Sequence, residues 1–282
     1  MNWAGIIWAL AACLLLASDA RAEPPKAGER YEITRSYETS MQGSDGSSSE
    51  TSGTDTIIER VIAVHQSGLE LEYSLSPDAD AADAVRNWQF PALVLKPSGK
   101  PMQLLNSKEL AARVEAWLKA ARLPRAACGR WIFTWNAFRI ECDPQSVLKS
   151  LEGFDLRSVE LREGAVHKED GAAAPGTLAL QSNGSGGAIY KVVMDVDPDA
   201  VRLARAESDV VVGEISQKLV TLEAALRERA KERISGKMTV TFETDTAGNV
   251  LRKTRATTLE TRLPDGESER ETLTHTVERR RL

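Results

Sequence analysis

The residues of this chain best suited to binding chemistry lie between two glutamates. No acidic residue occurs between Glu115 and Glu141, and this basic window, residues 116–140, holds five cationic and five aromatic side chains in a chain of net charge −5. Arginine and aromatic residues are enriched where proteins contact their partners. The basic window therefore indicates a surface for an amphiphilic, lipid-like ligand or an acidic protein partner. Its candidate binding residues are Arg122, Arg125, Arg130, Trp131, Phe133 and Trp135.

A purely structural interpretation of the basic window competes with this one. Trp117 lies on the apolar face of a predicted helix, and alternate residues of a hairpin normally enter the core. The cationic side chains are then ordinary solvated positions. In that case no residue of the window belongs to a binding site.

Motifs for catalysis or metal binding are scarce. The three histidines lie far from one another in sequence, and none has a second His or Cys at metal-ligand spacing. Ser146-x-x-Lys149 matches the nucleophile motif of penicillin-binding enzymes, but the companion motifs are missing, and no nucleotide-binding or nucleophile-elbow motif occurs. We therefore expect no cofactor, no metal and no catalytic residue. A hydrolase with an unrecognised site is an alternative.

A run of three aspartates has the spacing of a calcium loop. Asp195-x-Asp197-x-Asp199 fits the first positions, but Ala200 stands where such loops need glycine and Ala206 where they need glutamate. A carboxylate just before a helix accepts hydrogen bonds from its free N–H groups. The sequence therefore predicts that Asp197 caps a helix.

Cys128 and Cys142 bracket most of the aromatic residues of the basic window. As one extended strand, residues 128–142 would separate their ends by about 45 Å, whereas a disulfide needs Cα atoms within about 7 Å. A bond between these cysteines therefore requires a hairpin that turns near residues 135–137. Such a bond should stabilise the fold by about 3 kcal/mol. Two buried free thiols are the alternative.

The first 22 residues resemble a signal peptide. An apolar run of 15 residues precedes Ala20-x-Ala22, the small-x-small pattern that signal peptidase cleaves, so that Glu23 begins the mature chain. The run is shorter than the ~20 residues that span a bilayer. A retained anchor, or a lipoprotein modified at Cys13, is the alternative. We expect export to the periplasm or the cell exterior, with membrane contact only before cleavage.

The chain from residue 23 to 282 is expected to form a single domain. Its 260 residues keep a net charge of −5, and 42% of the whole sequence is apolar, enough for a sizeable core. This mild acidity argues against a nucleic-acid-binding protein. The segment 167–187 is poor in large apolar residues, so an internal division there is an alternative.

Alternating apolar residues predict a strand meander at each end of the chain. The N-terminal meander covers 31–75 and the C-terminal one begins near 238. A further strand is predicted over 156–166. The arginines at 279–281 suggest an edge strand protected from aggregation.

Helical periodicity predicts two main helices between the meanders. One begins at Ser107, and the other begins at Pro198 and continues to about residue 235. Short helices are expected over 78–86 and 144–151. The apolar face of the second long helix is formed by Val212, Ile215, Leu219, Leu222 and Leu226.

These elements together predict an α+β fold. The two meanders share a mostly antiparallel, curved sheet, and the two main helices pack on one of its faces. The leading functional interpretation is a non-catalytic cell-envelope protein that binds or carries an amphiphilic, lipid-like ligand or an envelope protein partner. A structural assembly factor with no small ligand is the second class of function.

Overall fold

A computed structural model of the chain describes residues 25–79, 87–133, 137–159 and 161–282. The expected cleavage site between Ala22 and Glu23 lies outside these residues. Trp135 and most of the short helix expected over 78–86 also lie outside them.

Ten strands form one antiparallel sheet. They are β1 (Arg30–Gly43), β2 (Ser48–His65), β3 (Gly68–Leu75), β4 (Ala92–Pro97), β5 (Gln103–Leu104), β10 (Ala179–Gly184), β11 (Gly187–Asp195), β12 (Arg233–Thr244), β13 (Val250–Arg262) and β14 (Ser268–Arg281). Across the sheet they lie in the order β10-β11-β12-β13-β14-β1-β2-β3-β4-β5. Two short hairpins, β6 (Trp131–Phe133) with β7 (Ala137–Arg139) and β8 (Val166–His167) with β9 (Gly176–Thr177), lie outside it. Both predicted meanders and the mostly antiparallel fold class are confirmed.

The first and last strands of the chain join the two meanders. β1 pairs with β14 along almost its whole length, from Tyr31 opposite Arg281 to Gly43 opposite Glu269. The prediction that arginines 279–281 protect an edge strand is therefore wrong, because β14 lies between β13 and β1 in the middle of the sheet. A strand in this position satisfies its backbone groups on both sides, so it needs no such protection.

The sheet has one apolar and one polar face, as its alternating sequence requires. The register places Ile33 beside Ile57, and Leu71 between Val61 and Val94, all of them buried. On the outer face, hydroxyl side chains form a row across five strands. The row consists of Thr54, Ser36, Thr276, Thr254 and Thr241.

Four α-helices and one 3-10 turn accompany the sheet in the described part of the chain. They are α1 (Ser107–Ala120), the turn Arg125–Ala127, α2 (Ser146–Glu152), α3 (Pro198–Ile215) and α4 (Leu222–Arg229). Leu110, Val114 and Leu118 recur every four residues and bury one face of α1 in the core. Asp197 caps α3 as predicted, since its Oδ1 accepts a hydrogen bond from the Asp199 N–H at 2.9 Å. No described helix is long and apolar enough to cross a bilayer.

The prediction of one helix from 198 to about 235 is wrong. The chain leaves α3 after Ile215, begins α4 at Leu222 and is already in β12 at Arg233. Gln217 adopts a positive φ of 56°, which an α-helix cannot contain. Thr221 then caps α4 by accepting a hydrogen bond from the Ala224 N–H at 3.2 Å.

The strand predicted over 156–166 is also wrong. Of the described residues in this range, 157–158 form a turn and only Val166 belongs to a strand. Asp155 Oδ1 accepts a hydrogen bond from the Arg157 N–H at 2.9 Å, which fixes that turn. The sequence resembles a strand because an apolar residue is followed by a charged one. In the structure Leu156 is buried in the core and Arg157 forms an ion pair with Glu59.

Candidate functional site

A groove of about 1110 Å³ opens where several strand ends meet. Its walls are the loop 97–101 after β4, the turn 156–159 and the turn 248–250 between β12 and β13, and Arg279 also lines it. Four cationic side chains and no acidic one line the groove among the described residues. These are Lys96, Lys100, Arg157 and Arg279. We call this feature the cationic groove.

A buried carboxylate holds two of these arginines in place. Glu59, on β2, is only 2% exposed. Its Oε1 accepts hydrogen bonds from Arg157 Nε at 3.1 Å, from Arg157 Nη2 at 2.9 Å and from Arg279 Nη2 at 2.9 Å. Its Oε2 accepts one from the Tyr73 hydroxyl at 3.1 Å. The two arginines are thereby fixed at the groove in one geometry.

The pKa values in this cluster follow from burial and charge. Burial alone would raise the pKa of Glu59, but Arg157 and Arg279 outweigh it and hold that pKa below its usual value. Burial, together with the charge of Glu59, raises the pKa of Tyr73 well above its usual value. At neutral pH Glu59 is therefore an anion and Tyr73 a neutral donor.

The charges around the cationic groove do not cancel. Lys96 pairs with Asp155, which also accepts a hydrogen bond from the Ser158 hydroxyl at 2.5 Å. Glu59 is one anion shared by two arginines, Arg157 and Arg279. Within the described residues, one buried guanidinium therefore lacks a counter-ion of its own. Leaving such a charge uncompensated is costly, so this arrangement favours an anion in the groove.

Two other acids nearby are occupied elsewhere. Glu29 pairs with Arg281 at 2.9 Å and accepts a hydrogen bond from the Tyr31 hydroxyl at 2.8 Å. Asp245 lines an adjoining groove of about 140 Å³ and accepts hydrogen bonds within its own turn, including one from the Asn249 N–H at 2.8 Å. Neither compensates the second arginine of the Glu59 cluster directly.

Arg279 has one hydrogen-bond donor that is unpaired within the described residues. The residue is 7% exposed, its guanidinium carbon lies 3.4 Å from the centre of the Tyr31 ring, and its Nε is buried without a hydrogen-bond partner among the described residues. Buried polar groups are nearly always paired in folded proteins. The same side chain lines both the cationic groove and its smaller neighbour.

Apolar side chains complete the cationic groove. Leu69, Leu156, Val159 and Val250 line it together with the cations. A site with fixed arginines and aliphatic walls suits a ligand that has an anionic head and an apolar part. The described lining has no Cys and no His, and its two serines lie on the turns at 98 and 158.

Four residues predicted from the basic window, Arg122, Arg125, Arg130 and Trp131, do not line the cationic groove. Arg122 and Arg130 are exposed, and exposed Arg125 pairs with Glu115 at 2.5 Å. Trp131 is half-buried and begins β6, and its N–H donates to Glu214 Oε1 at 3.3 Å. Phe133 ends β6, and Trp135 lies outside the described residues.

The disulfide and its hairpin are confirmed. The Cα atoms of Cys128 and Cys142 lie 5.7 Å apart and their sulfur atoms are bonded. Between them β6 and β7 pair antiparallel, with Trp131 opposite Arg139 and Phe133 opposite Ala137. The bond therefore folds the basic window back on itself.

A second ionic cluster fastens the segment 167–187 to the sheet. Glu169 Oε2 lies 2.8 Å from His167 Nε2 and 2.9 Å from Lys253 Nζ. The His167 ring meets the buried Phe242 ring edge-on at 5.3 Å between centroids. Within the described ranges, no three potential ligand side chains are grouped as a metal ion requires. We interpret this cluster as a structural contact.

Acid should weaken the Glu169 cluster. Burial would raise the pKa of Glu169, but the His167 hydrogen bond and Lys253 lower it from 4.5 to about 2. A lowered pKa contributes stability above the unfolded-state value, and this is lost as the pH falls from about 4.5 towards 2. We expect E169Q to be less stable than the wild type by about 2 kcal/mol at pH 6. Urea unfolding at several pH values should show the two proteins converging towards pH 2, and a constant difference would contradict the assignment.

The comparisons with known proteins leave the family open. No protein-family model matches the chain, and no curated protein does. A solved structure described as lipid–protein interactions in lipovitellin is similar with a TM-score of 0.38 and 7% identity, over 90% of this chain and 25% of that one. A hot dog fold protein of unknown function from Alicyclobacillus acidocaldarius gives a TM-score of 0.11 and 12% identity, over 93% of this chain and 82% of that one. The chain thus spans a quarter of the lipovitellin chain, and similarities this low carry no argument about function.

Proposed function

We propose that this chain is a non-catalytic binding or carrier protein of the cell envelope, which holds an anionic amphiphile in the cationic groove. The observation that carries the proposal is the pair of arginines, Arg157 and Arg279, that share one buried carboxylate beside aliphatic walls. A ligand anion would complete the charge balance there through charge-assisted hydrogen bonds. Its apolar part would cover Leu69 and Val159.

The disulfide supports the envelope location. Cytosolic thiols are kept reduced, so a structural bond such as Cys128–Cys142 is typical of exported proteins. The proposal also keeps the expectation that residues 1–22 are a cleaved signal peptide. On this interpretation the mature chain begins at Glu23.

The test is calorimetric titration with dodecyl phosphate, which has an anionic head and an alkyl chain, below its micelle concentration. We expect saturable binding of dodecyl phosphate and much weaker binding of uncharged dodecyl maltoside. R157Q should lower the affinity at least about tenfold, since a hydrogen bond to a charged group is worth about 1.5–3 kcal/mol. Near-UV circular dichroism should confirm that the protein stays folded during the titration.

The matched control is R262Q, which removes one exposed cation at the end of β13. This variant has the same net charge as R157Q but keeps the groove intact, so its affinity for dodecyl phosphate should equal that of the wild type. Equal affinities for the two amphiphiles, or equal losses in R157Q and R262Q, would refute the proposal.

A further inference from the structure

The turn between α3 and α4 presents an almost fully exposed leucine. Leu219 is 97% exposed, and Val212, on the last turns of α3, is 60% exposed. Helical periodicity predicts both on a buried helix face, and the structure shows them exposed. Single exposed apolar residues are common on protein surfaces. These two matter because of the backbone that holds them and the charges beside them.

The backbone of this turn is closely fixed. The Lys218 N–H donates to the Gly213 carbonyl at 2.8 Å, and the Ser216 hydroxyl donates to the Val212 carbonyl at 2.7 Å. A Cβ added to Gly213 would lie 2.8 Å from the Lys218 carbonyl oxygen, so the turn packs directly on the helix. Leu219 is therefore held outward by an ordered turn.

This turn also carries backbone strain. Among the described residues other than glycine, only Gln217 and Arg122 have positive φ values, 56° and 55°. Side chains disfavour this left-handed conformation, and strained residues cluster at functional sites. Gln217 lies two residues before Leu219, and Arg122 belongs to the basic window. Gln217 thus places backbone strain directly beside the exposed leucine.

The basic window approaches the same end of α3. The Trp131 N–H donates to Glu214 Oε1 at 3.3 Å, which ties the β6–β7 hairpin to the last turn of the helix. Arg130 precedes Trp131, and Lys218 follows Glu214 by four residues. Arg130 and Lys218 are exposed, and neither forms an ion pair with another described residue.

Two of the nearby acids form ion pairs. Glu115 pairs with Arg125 at 2.5 Å, and Glu223, on the first turn of α4, pairs with Arg227 at 3.5 Å. Glu214 accepts a hydrogen bond from the neutral Trp131 N–H and keeps its charge, which offsets one of the two cations Arg130 and Lys218. This end of the molecule therefore combines a small excess of positive charge with projecting apolar side chains.

We infer that this end of the molecule, formed by the α3–α4 turn and by residues 128–131 at the base of the disulfide hairpin, docks on an anionic lipid bilayer. Leu219 and Val212 enter the boundary between headgroups and acyl chains, and Arg130 and Lys218 lie at the lipid phosphates. Basic side chains beside inserted apolar ones are the usual composition of surfaces that lie on anionic membranes. The surface is separate from the cationic groove, and the inference does not depend on what the groove binds.

Flotation with lipid vesicles tests the inference. The full chain should float with vesicles of equal parts phosphatidylglycerol and phosphatidylcholine, and not with phosphatidylcholine alone. L219D should lower the vesicle partition coefficient at least about tenfold. Its matched control is V166D, since Val166 is apolar, 76% exposed and lies on the separate β8–β9 hairpin. V166D should float as the wild type does.

A second pair of variants tests the charge. R130Q/K218Q should lower flotation with the anionic vesicles at least about tenfold, since each basic side chain near an anionic surface contributes about 1 kcal/mol. R233Q/R262Q removes two exposed arginines that face each other across β12 and β13, and it should leave flotation unchanged. Wild-type flotation of L219D, equal losses in L219D and V166D, or equal flotation with both lipid compositions would each overturn the inference. Failure of the wild-type protein to float would also overturn the inference, and would favour a protein partner for this surface.

The groove proposal and the membrane-docking proposal can be refuted independently. L219D should bind dodecyl phosphate with wild-type affinity, and R157Q should float with anionic vesicles as the wild type does. Loss of dodecyl phosphate binding in L219D would show that its substitution disturbs the whole fold, which contradicts a local docking role for Leu219.

Discussion

Replacing Glu59 with glutamine should lower the free energy of unfolding by about 3–5 kcal/mol. The glutamine keeps the size of the side chain but removes the anion that Arg157 and Arg279 share in the described structure. Two buried guanidinium groups then face each other without a counter-ion, and an unpaired buried charge is among the costliest defects in a fold. Urea unfolding followed by circular dichroism at pH 7 measures the loss. An unfolding midpoint equal to that of the wild type would contradict the assignment.

Removing the whole cluster is the control. The variant E59L/R157M/R279M replaces the three charges with apolar side chains of similar length. Because desolvation largely offsets the attraction within buried ion pairs, this variant should be more stable than E59Q despite carrying three substitutions. If both variants lose the same stability, the loss in E59Q comes from packing and not from charge.

The same two variants separate the structural role of the cluster from its binding role. E59Q leaves both arginines without their anion, so a bound anion gains more there than in the wild type. Dodecyl phosphate should therefore raise the unfolding temperature of E59Q more than that of the wild type. It should stabilise E59L/R157M/R279M less than either.

The sheet could be predicted from the sequence because strand patterning is local. Alternation in β1–β3 and β12–β14 follows directly from which side chains face the core. The pairing of β1 with β14 could not be predicted in the same way, because Tyr31 and Arg281 are separated by almost the whole chain. The sequence therefore suggests an edge position for the arginines 279–281, which the pairing of β1 with β14 contradicts.

The cationic groove is hard to predict from the sequence because its lining residues lie far apart along the chain. Leu69, Lys96, Arg157, Asn249 and Arg279 come from five separate segments, so no motif spacing connects them. One local signal was available. Glu59 stands between Ile57 and Val61, and alternation turns all three towards the core face. A charge at an inward position implies a buried partner, here two arginines.

Periodicity failed at the α3–α4 turn for a physical reason. The apolar spacing runs through the break because Val212 and Leu219 are apolar although exposed. A pattern of residue types records hydrophobicity and not burial, so it cannot distinguish a core face from an exposed apolar turn. The signals for the break were the cap residue Thr221 and the acid Glu223 in the first turn of α4.

Replacing Gly68 with alanine should destabilise the fold by about 3–4 kcal/mol. Gly68 begins β3, has a φ of +150° and lines the cationic groove. A Cβ there would lie 2.2 Å from the Lys96 carbonyl oxygen and 2.6 Å from the Pro97 Cα, so β3 and β4 would have to separate. Both atoms belong to the backbone and cannot rotate away. The measurement is the free energy of unfolding in urea.

Gly99 provides the matched control for Gly68. It lines the same groove with a φ of +65°, but a Cβ there would meet nothing within 4 Å. G99A should therefore cost only the left-handed strain, about 1 kcal/mol. Since β4 carries Lys96 and leads into the groove wall, G68A should also weaken dodecyl phosphate binding, whereas G99A should not. Equal stability losses in the two variants would mean that positive φ, and not the close approach of β3 to β4, is what requires glycine at position 68.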